Sequence, residues 1–515
     1  MKVILTAEAA KAGDLYTIHS CNIPEPRLIH AAAYAVLDAL QTGGYDLRKP
    51  LILCGSGNNG ADGFELAYLL KESVSYVKVL YLGRLDAQGA PDTAHMSEQC
   101  LLHYQKALGA GVPVWTVLPE KLQFTVCVDA VYGTGMRGAI KDERVCGIFD
   151  RIRTGQTPVV AIDVPSGVNC TTGEADAHTL RAVQTVTVQH HKAGLLLYPG
   201  ADYAGKITLA DIGIVNDPNY QNNVLYAIED SDLDALLPAR PARSHKGTFG
   251  RVLIVGGAPG MAGAVYLAAM AAYRAGAGLV EILTHADNRI ILQQLIPEAV
   301  VTCYADTDAL GATLGATLAS SLPRANAVVL GCGIGGSAFA KQCVSYVLQN
   351  ANVPLVVDAD ALNIISAQPT LLQSLSDAQK KRTVITPHPA EAARLLGKAA
   401  DVHSVTSNVT AAAEQLCGAY GTNVLLKDAH TLILSHDKNT RYINLSGSTA
   451  LAGAGSGDIL AGYIGGLCAA QTNGLPTVTT AALAAYLHGK AGEEAEQKVG
   501  ARAAMARDIL DGLKK

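Results

Sequence analysis

The sequence is poor in aromatic and in charged side chains, and these shortages exclude several classes of protein. Aromatic residues make up 5% of the 515 residues, with a single tryptophan, and charged residues make up 17%. Hydrophobic residues nevertheless reach 49%, so a chain of this length buries a large core and is not intrinsically disordered. At about 150 residues per domain, the length predicts roughly three domains or two large ones.

Motifs for metal–thiolate chemistry and for membranes are also missing. The 11 cysteines are scattered without a CxxC pair, which argues against a structural zinc site or a thioredoxin-like redox centre. Cysteines so dispersed are typical of reduced, buried residues in cytosolic proteins. The apolar run at the N-terminus is too short for a signal peptide, and no run has the apolar density of a membrane span. We therefore expect a cytoplasmic protein without a membrane partner.

Basic clusters are absent as well. The formal net charge is -5, and lysine and arginine form no long run. Both features argue against nucleic acid or an anionic lipid surface as the main partner.

Glycine, by contrast, is abundant, with 51 residues that do not follow the three-residue period of collagen. Short β-rich runs alternate with helical patterns, which predicts an α/β protein with parallel sheets. The predicted strands form two series, at 50–55, 77–82, 124–132, 157–165 and 184–190, and then at 251–257, 327–331, 354–360, 383–387 and 423–427. A polar segment with two Pro-Ala-Arg repeats separates them, so we predict a domain boundary near residue 225.

The stretch LILCGSGNNGADGFELAYLL reads as a strand, a glycine-rich turn and a helix. Gly55, Gly57 and Gly60 satisfy the GxGxxG spacing, which presents backbone N–H groups at a helix N-terminus to an anion. A Rossmann dehydrogenase also has an acid at the end of the next strand, and this sequence offers only a loosely placed Asp86 there. The polar NNGAD run therefore distinguishes this loop from an ordinary dinucleotide fingerprint.

Two further strands of the first series end in acids, Asp129 and Asp163, at the edge where parallel sheets form crevices. Asn59, Asp129 and Ser166 offer only oxygen ligands, which suits a hard cation such as K⁺ or Mg²⁺ better than zinc. A second glycine loop, GTGMRG, follows Asp129. In a simpler interpretation the acids cap helices and the glycines only turn the chain. We favour a binding site, because three strand ends (those before the GSGNNGADGF loop, at Asp129 and at Asp163) are expected to converge at the same edge of the sheet.

The run NLSGSTALAGAGSGDILAGYIGG places three glycines before Asp458 and an apolar helix. Bare N–H groups at a helix N-terminus stabilise phosphate charge, and the adjacent carboxylate can take a proton from an attacking hydroxyl. This pattern indicates phosphoryl transfer without the GxxxxGK[ST] motif, which the sequence lacks. An aspartate that only caps a glycine-packed helix is the simpler alternative.

Three more predicted strand ends are expected to lie in one crevice with this glycine run and Asp458. The turn GCGIGG follows one strand, and TPHPAE fixes His388 between two prolines before a helix that Glu391 opens. LLKDAHT places Lys427 and Thr431 at the third strand end, where a lysine can meet a phosphate. The simpler alternatives are that His388 has only a structural role and that Lys427 is a solvated charge.

Taken together, the motifs resemble those of the bifunctional NAD(P)H-hydrate repair enzymes over nearly the whole chain. GSGNNGADGF, DAVYGTGMRG and DVPSGVN resemble the epimerase motifs, and KGTFG, GCGIG, TPHPAE, KDAHT and GAGSGD resemble those of the dehydratase. The resemblance implies an α/β chain with an N-terminal Rossmann-like three-layer epimerase domain over residues 1–224. A ribokinase-like α/β dehydratase domain would follow over residues 225–515.

For the first domain, the resemblance implies interconversion of the R and S forms of NADH and NADPH hydrated at C6 of the nicotinamide ring. Asp163 is then a candidate acid/base, and Asn59, Asp129 and Ser166 hold K⁺. The residues placed around the hydrated dinucleotide are Asn58, Asn59, Gly60, Ala61, Asp62, Gly133, Thr134, Gly135, Met136, Arg137, Gly138, Ala139 and Asp163.

For the second domain, the resemblance implies ADP-dependent dehydration of the S hydrate. Asp458 would deprotonate the C6 hydroxyl as it attacks the terminal phosphate of ADP, and Mg²⁺ would offset the diphosphate charge. The residues assigned to the hydrate are Ala264, Gly333, Gly335, His388 and Asp458. Those assigned to ADP or AMP are Lys427, Asp428, Ala429, His430, Thr431 and Gly457.

Four positions depart from the family pattern. Ala61 and Ala390 stand where glycine is common, and Asp428 and His430 replace small residues. An added methyl group is tolerated where φ is negative, whereas Asp428 would repel a phosphate unless its carboxylate points away.

Two other functions fit parts of the pattern. The first is a ribokinase-like small-molecule kinase fused to a dinucleotide-binding regulatory domain, and the second is a dinucleotide sensor without catalysis. In each case we expect a homo-oligomer, because large α/β enzymes often form symmetric assemblies.

Overall fold

A computed structural model describes residues 1–121, 123–217, 224–305, 313–397, 399–470 and 474–513, with the backbone alone at 313 and 314. The chain divides into two compact units, which we call the N-terminal unit (Val3–Leu225) and the C-terminal unit (Tyr226–Lys515, with Met1–Lys2). All 11 cysteines are free thiols, as the scattered spacing predicts. No helix among the described residues has the length and apolarity required to cross a membrane.

A parallel sheet forms the centre of the N-terminal unit. Its strands lie in the order β4-β3-β2-β5-β6-β7-β9, and every neighbouring pair is parallel. A short parallel pair, β1 with β8, joins Ile4 to His191 and Leu5 to Lys192. The strands are β1 (Lys2–Leu5), β2 (Pro50–Cys54), β3 (Lys78–Tyr81), β4 (Val114–Trp115), β5 (Val126–Ala130), β6 (Val159–Ile162), β7 (Gln184–Val188), β8 (His191–Lys192) and β9 (Lys206–Ala210).

Helices cover both faces of this sheet and make three layers. Alternate residues of β2 enter different cores: Ile52 packs with α2, α3 and α4, whereas Leu51 and Leu53 pack with α5. Burial on both faces explains why β2 is apolar throughout and does not alternate. The helices are α1 (Ala7–His19), α2 (Glu25–Thr42), α3 (Asn58–Lys71), α4 (Glu98–Gly109), α5 (Glu143–Thr154), α6 (Ala193–Leu196) and α7 (Ala201–Ala204).

The C-terminal unit has its own mixed sheet, in the order β13-β12-β11-β14-β15-β16-β17-β18-β19-β10. The strands from β13 to β17 are parallel, and β18 is antiparallel to both of its neighbours. The strands are β10 (Val224–Ala227), β11 (Arg251–Val255), β12 (Leu279–His285), β13 (Val300–Tyr304), β14 (Ala327–Leu330), β15 (Leu355–Val357), β16 (Thr383–Ile385), β17 (Asn423–Leu426), β18 (Leu432–Leu434) and β19 (Arg441–Ile443).

The largest core of this unit lies where three helices pack on the sheet. Alanine and glycine are frequent on α9 and α19, so their backbones approach closely, and α20 completes the layer. The helices are α8 (Leu233–Leu236), α9 (Ala262–Arg274), α10 (Arg289–Leu295), α11 (Thr313–Ser321), α12 (Ala338–Asn350), α13 (Asp360–Ala367), α14 (Thr370–Gln373), α15 (Asp377–Arg382), α16 (Pro389–Leu396), α17 (Val402–Ser407), α18 (Val409–Tyr420), α19 (Ser456–Ala470), α20 (Thr477–Val499) and α21 (Ala506–Gly512). Single 3₁₀ turns occur at Thr93–His95, Asp230–Asp232, Lys246–Phe249, Ala286–Asn288, Leu322–Arg324 and Thr449–Ala452.

Each sheet reverses its strand order at one point, and these points locate the two candidate sites. In the N-terminal unit the chain builds β2, β3 and β4 to one side and then continues with β5 on the other side of β2. In the C-terminal unit the same reversal separates β11 from β14. Loops that leave neighbouring strands at such a point diverge, and a crevice opens between them at the carboxyl ends of the strands.

The predicted α/β class with parallel sheets is confirmed, and every strand of both predicted series is present. Other strands escaped prediction, among them β12 and the antiparallel pair β18 and β19. The strand β12 carries Glu281 and His285 within an apolar run, and this mixture hides its pattern. The strands β18 and β19 have only three residues each, which is too short for a clear periodicity.

Candidate active sites

The loop after β2 leads directly into the first turn of α3. The cap residue Gly57 provides no side-chain hydrogen bond, so the first N–H groups of α3 are not capped by a side chain. A Cβ atom at Gly60 would overlap the Gly55 carbonyl oxygen, which explains why the turn requires glycine at this position. The side chain of Asn58 is held from two sides, by Glu25 Oε1 at 2.7 Å and by the Ser97 hydroxyl at 2.9 Å.

This loop borders a cavity of about 610 Å³ in the N-terminal unit. Most of the predicted dinucleotide residues line it, whereas Gly60 and Ala61 are buried in the first turn of α3 and Arg137, Gly138 and Ala139 are exposed beyond the cavity. The predicted residues on its wall are Asn58, Asn59, Asp62, Gly133, Thr134, Gly135, Met136 and Asp163. Ala61 lies within a helix at negative φ, so its extra methyl group causes no strain.

A buried oxygen cluster lies at the end of β5. One oxygen of Asp129 accepts the Ser166 hydroxyl at 2.6 Å, and the other accepts the Ser166 N–H at 2.8 Å. Burial raises the pKa of Asp129, and the hydrogen bonds from Ser166 and Val131 oppose that rise. None of the described basic side chains forms an ion pair with this carboxyl group.

Asn59 belongs to the same region. Its side chain is buried, it lies against Gly133 in the loop after β5, and its amide nitrogen has no hydrogen-bond partner among the described residues. The side-chain oxygens of Asn59, Asp129 and Ser166, beside a buried carboxyl group without a described ion-pair partner, are chemically suited to K⁺, whereas the unpartnered amide nitrogen is a donor and would not ligate it.

Asp163 follows β6 with a φ of 64°, a left-handed conformation that is rare for residues other than glycine. Its Oδ1 atom accepts hydrogen bonds from Lys192 Nζ at 2.6 Å, from the Val188 N–H at 3.2 Å and from the Thr187 hydroxyl at 3.3 Å. Lys192 is almost fully buried, with 3% of its side chain exposed. Sequence reasoning missed this lysine, because it stands alone in the largely apolar segment HKAGLLLYP.

In the C-terminal unit, the glycine loop after β14 lies against the start of α9. A Cβ atom at Gly333 would lie 3.1 Å from the Cβ of Ala264, and the Gly335 N–H donates to Asp360 at 2.9 Å. Three of the predicted hydrate-binding residues, Ala264, Gly333 and Gly335, are therefore brought together. His388 caps α16 through a reciprocal capping box with Glu391, and burial lowers the pKa of His388.

The carboxyl ends of β15 and β17 hold a buried ion pair. Lys427 Nζ lies 2.8 Å from Asp358 Oδ1 and 3.9 Å from Glu391 Oε2. Both Lys427 and Asp358 lie within 3.7 Å of the point where a side chain at Gly457 would begin, so the pair adjoins the N-terminus of α19. The structure thus places the ammonium group of Lys427 beside the glycine run that sequence reasoning assigned to phosphate.

The carboxyl group of Asp458 lies in the same cluster. One ligand atom each of Cys332, Asp358 and Asp458 lies within 4.8 Å of the other two. Burial and the neighbouring Asp358 raise the pKa of Asp458 to about 6, whereas the Cys332 hydrogen bond and Lys427 act to lower it. An acid with this pKa is mostly ionised at neutral pH and is able to accept a proton.

The cluster does not form an oxygen cage for Mg²⁺. The Cys332 thiol is a soft ligand, and Lys427 and the Thr386 hydroxyl both contact Asp358 Oδ1. A magnesium ion that a nucleotide brings on its phosphates, with one carboxylate as protein ligand, is compatible with this arrangement. Sequence reasoning missed Asp358, although the rule that located Asp129 and Asp163 applies equally to the strand PLVVDAD.

The predicted nucleotide segment 427–431 forms the turn between β17 and β18. The carboxylate of Asp428 accepts the Ala429 N–H at 2.8 Å, and Thr431 is buried, with its hydroxyl donating to the Asp428 carbonyl at 3.3 Å. The carboxylate of Asp428 therefore accepts a hydrogen bond from within its own turn. Ala390, the other departure, lies in α16 at negative φ and causes no strain.

Comparison with known proteins covers both units. A family model described as NAD(P)H-hydrate dehydratase matches residues 252–515, and one described as YjeF-related protein N-terminus matches residues 25–194. The bifunctional NAD(P)H-hydrate repair enzyme of Moorella thermoacetica is 35% identical, over 98% of this chain and 95% of that protein. Its counterpart from Escherichia coli is 33% identical, over 91% of this chain and 85% of that protein. Among solved structures, the ADP/ATP-dependent NAD(P)H-hydrate dehydratase of Bacillus subtilis, co-crystallised with ATP and Mg²⁺, is 27% identical with a TM-score of 0.45. It covers 56% of this chain, and the match spans 96% of that chain.

Proposed function

The chain belongs to the family of bifunctional NAD(P)H-hydrate repair enzymes, and we propose how its two sites divide the work. It is both an isomerase and a lyase, which epimerises the R and S hydrates and dehydrates the S hydrate. We assign epimerisation to the cavity of the N-terminal unit and dehydration to the cluster around Asp458. The fused kinase alternative is not favoured, because relatives that match nearly the whole chain are named as repair enzymes.

The single observation that carries the dehydratase assignment is the position of Asp458 beside Lys427 at the N-terminus of α19. In the proposed reaction Asp458 takes the proton of the C6 hydroxyl as that oxygen attacks the terminal phosphate of ADP. The N–H groups of the GAGSGD run and the ammonium group of Lys427 stabilise the charge on the phosphate. Phosphate then leaves C6, a proton leaves C5, and the reduced nicotinamide and AMP are the products.

The residues proposed to contact ADP are Lys427, Asp428, Ala429, His430, Thr431 and Gly457, and those proposed to contact the hydrate are Ala264, Gly333, Gly335, His388 and Asp458. Mg²⁺ would be held mainly by the nucleotide phosphates and would offset their charge.

In the N-terminal site, the dinucleotide would lie between the loop of residues 58–62 and the loop of residues 133–139. K⁺ would be held by Asn59, Asp129 and Ser166 and would supply the positive charge that Asp129 lacks among the described residues. Asp163 would contact the reacting ring. The support for this assignment is the ion pair of Asp163 with the buried Lys192 on the cavity wall.

Two substrates and two variants test the assignments. With ADP, Mg²⁺ and the S hydrate, we expect the absorbance of NADH to reappear and AMP to accumulate. Asp458→Asn should abolish this reaction while nucleotide still raises the Tm. Loss of hydrate without reappearance of NADH would contradict dehydration and favour a kinase, and a wild type that turns over neither epimer would favour a sensor.

The second variant is Asp163→Ala. It should leave the R hydrate unconverted while the S hydrate is still dehydrated at the normal rate. Unchanged conversion of the R hydrate would show that Asp163 does not act in epimerisation.

A further inference from the structure

One wall of the N-terminal cavity belongs to none of the loops with glycine motifs. Lys11, Asp14 and Ile18 follow one another at spacings of three and four residues, so they share one face of α1, and all three line the cavity. Asp14 is therefore aimed at the same space as Asp163, from a helix instead of from a strand end. No described residue forms a hydrogen bond or an ion pair with the carboxyl group of Asp14.

Asp163 has the opposite surroundings. Its three contacts at Oδ1 all come from donors, and one of them is the Lys192 ammonium group at 2.6 Å. In all of its described contacts Asp163 is therefore a hydrogen-bond acceptor, whereas Asp14 has no such contact among the described residues. Epimerisation by loss and return of the C6 hydroxyl group has one step that uses a proton donor and one that uses a proton acceptor, so a second carboxyl group on the cavity wall can share these roles with Asp163.

The electrostatics of the cavity raise the pKa of Asp14 towards neutral pH, where a carboxyl group can both give and take a proton. Burial, and then the negative charge of Asp163, raise the pKa of Asp14 to about 6, Lys192 acts in the opposite direction, and Glu25 adds to the rise. The other titratable groups on the cavity wall are Lys11, Asp62, Tyr132 and His190. Burial raises the pKa of Asp62 and lowers that of His190.

We propose that Asp14 is the catalytic acid of the epimerase site and that Asp163 is its catalytic base. This inference rests on the proposed function of the N-terminal unit. Asp14 protonates the C6 hydroxyl, the C6–O bond breaks, the oxygen leaves as water, and the lone pair of the ring nitrogen forms a C=N double bond. Water then adds to the opposite face of C6 and passes its proton to Asp163.

The proposed steps conserve atoms and charge. One water leaves and one enters, and the proton that Asp14 gives is balanced by the proton that Asp163 receives. The reverse reaction uses the two groups in exchanged roles, and proton exchange with solvent restores the starting state. The ring is cationic only between the two steps, when the carboxylate-rich cavity stabilises it.

The test uses the full chain with the R hydrate, and the rate is measured above the uncatalysed rate. We expect Asp14→Asn to lower kcat about 100-fold or more, as loss of a general acid does. KM should stay within about threefold, and Asp14→Glu should recover at least part of kcat. Glu8→Gln removes an exposed carboxylate from the same helix and should leave the rate unchanged. In every variant, dehydration of the S hydrate reports whether the chain is folded.

Two further measurements separate a catalytic role from a structural one. Because the acid must be protonated, kcat/KM for epimerisation should fall as the pH rises through about 6, and Asp14→Asn should remove this limb. In water enriched in heavy oxygen, each epimerisation should incorporate label at C6. If the original oxygen is retained, the C6–O bond does not break, and the proposed mechanism is wrong.

The possible failures are distinguishable. If the wild type converts the R hydrate and Asp14→Asn does so within about threefold of its rate, the assignment of Asp14 is wrong while the proposed function stands. If the wild type converts none, the proposed function of the N-terminal unit fails, and the role of Asp14 fails with it.

Discussion

The ammonium group of Lys427 lies 2.8 Å from the carboxylate of Asp358, and the pair adjoins the first turn of the helix that carries Asp458. These two groups act on Asp458 in opposite directions, because Asp358 raises the pKa of Asp458 and Lys427 lowers it. With the proposed role of Asp458, we therefore expect the pH dependence of dehydration to reflect this cluster and not Asp458 alone.

Neutralising the two members of the pair should shift the dehydration profile in opposite directions. The base must be ionised, so kcat/KM for the S hydrate should rise with pH through about 6 and then level. Asp358→Asn should move this limb to lower pH, and Lys427→Met should move it to higher pH. Profiles are measured at saturating nucleotide, with Lys341→Met at an exposed position as control. Shifts in the same direction for both variants would contradict the arrangement.

The Cys332 thiol should tune the same limb through its hydrogen bond to Asp458. That bond lowers the pKa of Asp458, so Cys332→Ala should move the limb to higher pH, whereas Cys332→Ser retains a donor and should move it less. The buried Cys343 offers a matched control, because its substitution by serine changes a core thiol outside the cluster. If the rising limb of the pH profile lies at the same pH in Cys332→Ala and in the wild type, Cys332 does not influence the pKa of Asp458.

Potassium should activate epimerisation and stabilise the N-terminal unit. Its charge would compensate the buried carboxyl group of Asp129, so replacing tetramethylammonium by K⁺ at constant ionic strength should raise both the epimerisation rate and the Tm. At 100 times the Kd the expected stabilisation is about 2.7 kcal/mol. Asp129→Asn should remove both responses, and dehydration of the S hydrate by this variant provides the folding control. A Tm that responds to ionic strength alone would contradict the K⁺ site.

The buried Glu65 should make the N-terminal unit sensitive to acid. Burial raises the pKa of Glu65, but hydrogen bonds from His103, His30 and Lys106 outweigh that effect and bring the pKa to about 2. The lowered pKa contributes stability that is complete above the usual value of 4.5 and is lost as the pH falls towards 2. Glu65→Gln should therefore lower the free energy of unfolding at pH 7 by roughly 2 kcal/mol and by progressively less below pH 4.

Urea unfolding from pH 7 down to pH 3 measures this difference, with Glu98→Gln at an exposed position as control. A difference between Glu65→Gln and the wild type that does not change with pH would show that the cost of this substitution lies in packing.

Much of each site was accessible from sequence because its parts are local. The loop from Gly55 to Asp62 and the run from Gly453 to Asp458 each contain a strand or turn, glycines and a helix start within a dozen residues. The rule that acids at strand ends face a crevice predicted Asp129 and Asp163, of which Asp163 lines the cavity. The contacts of the loop of residues 133–139 were less accessible, since only its first half reaches the cavity.

Periodicity and turn chemistry act over a few neighbouring residues, so the sequence was sufficient to predict the α/β class and the positions of the glycine loops. Which charges meet became visible only in the folded chain. Lys192 reaches Asp163 across 29 positions and Lys427 reaches Asp358 across 69, while Asp14 comes to the cavity on a helix that carries no motif. Parallel sheets bring distant strand ends together at the points where the strand order reverses, and interactions between charges depend on that spatial separation and on burial.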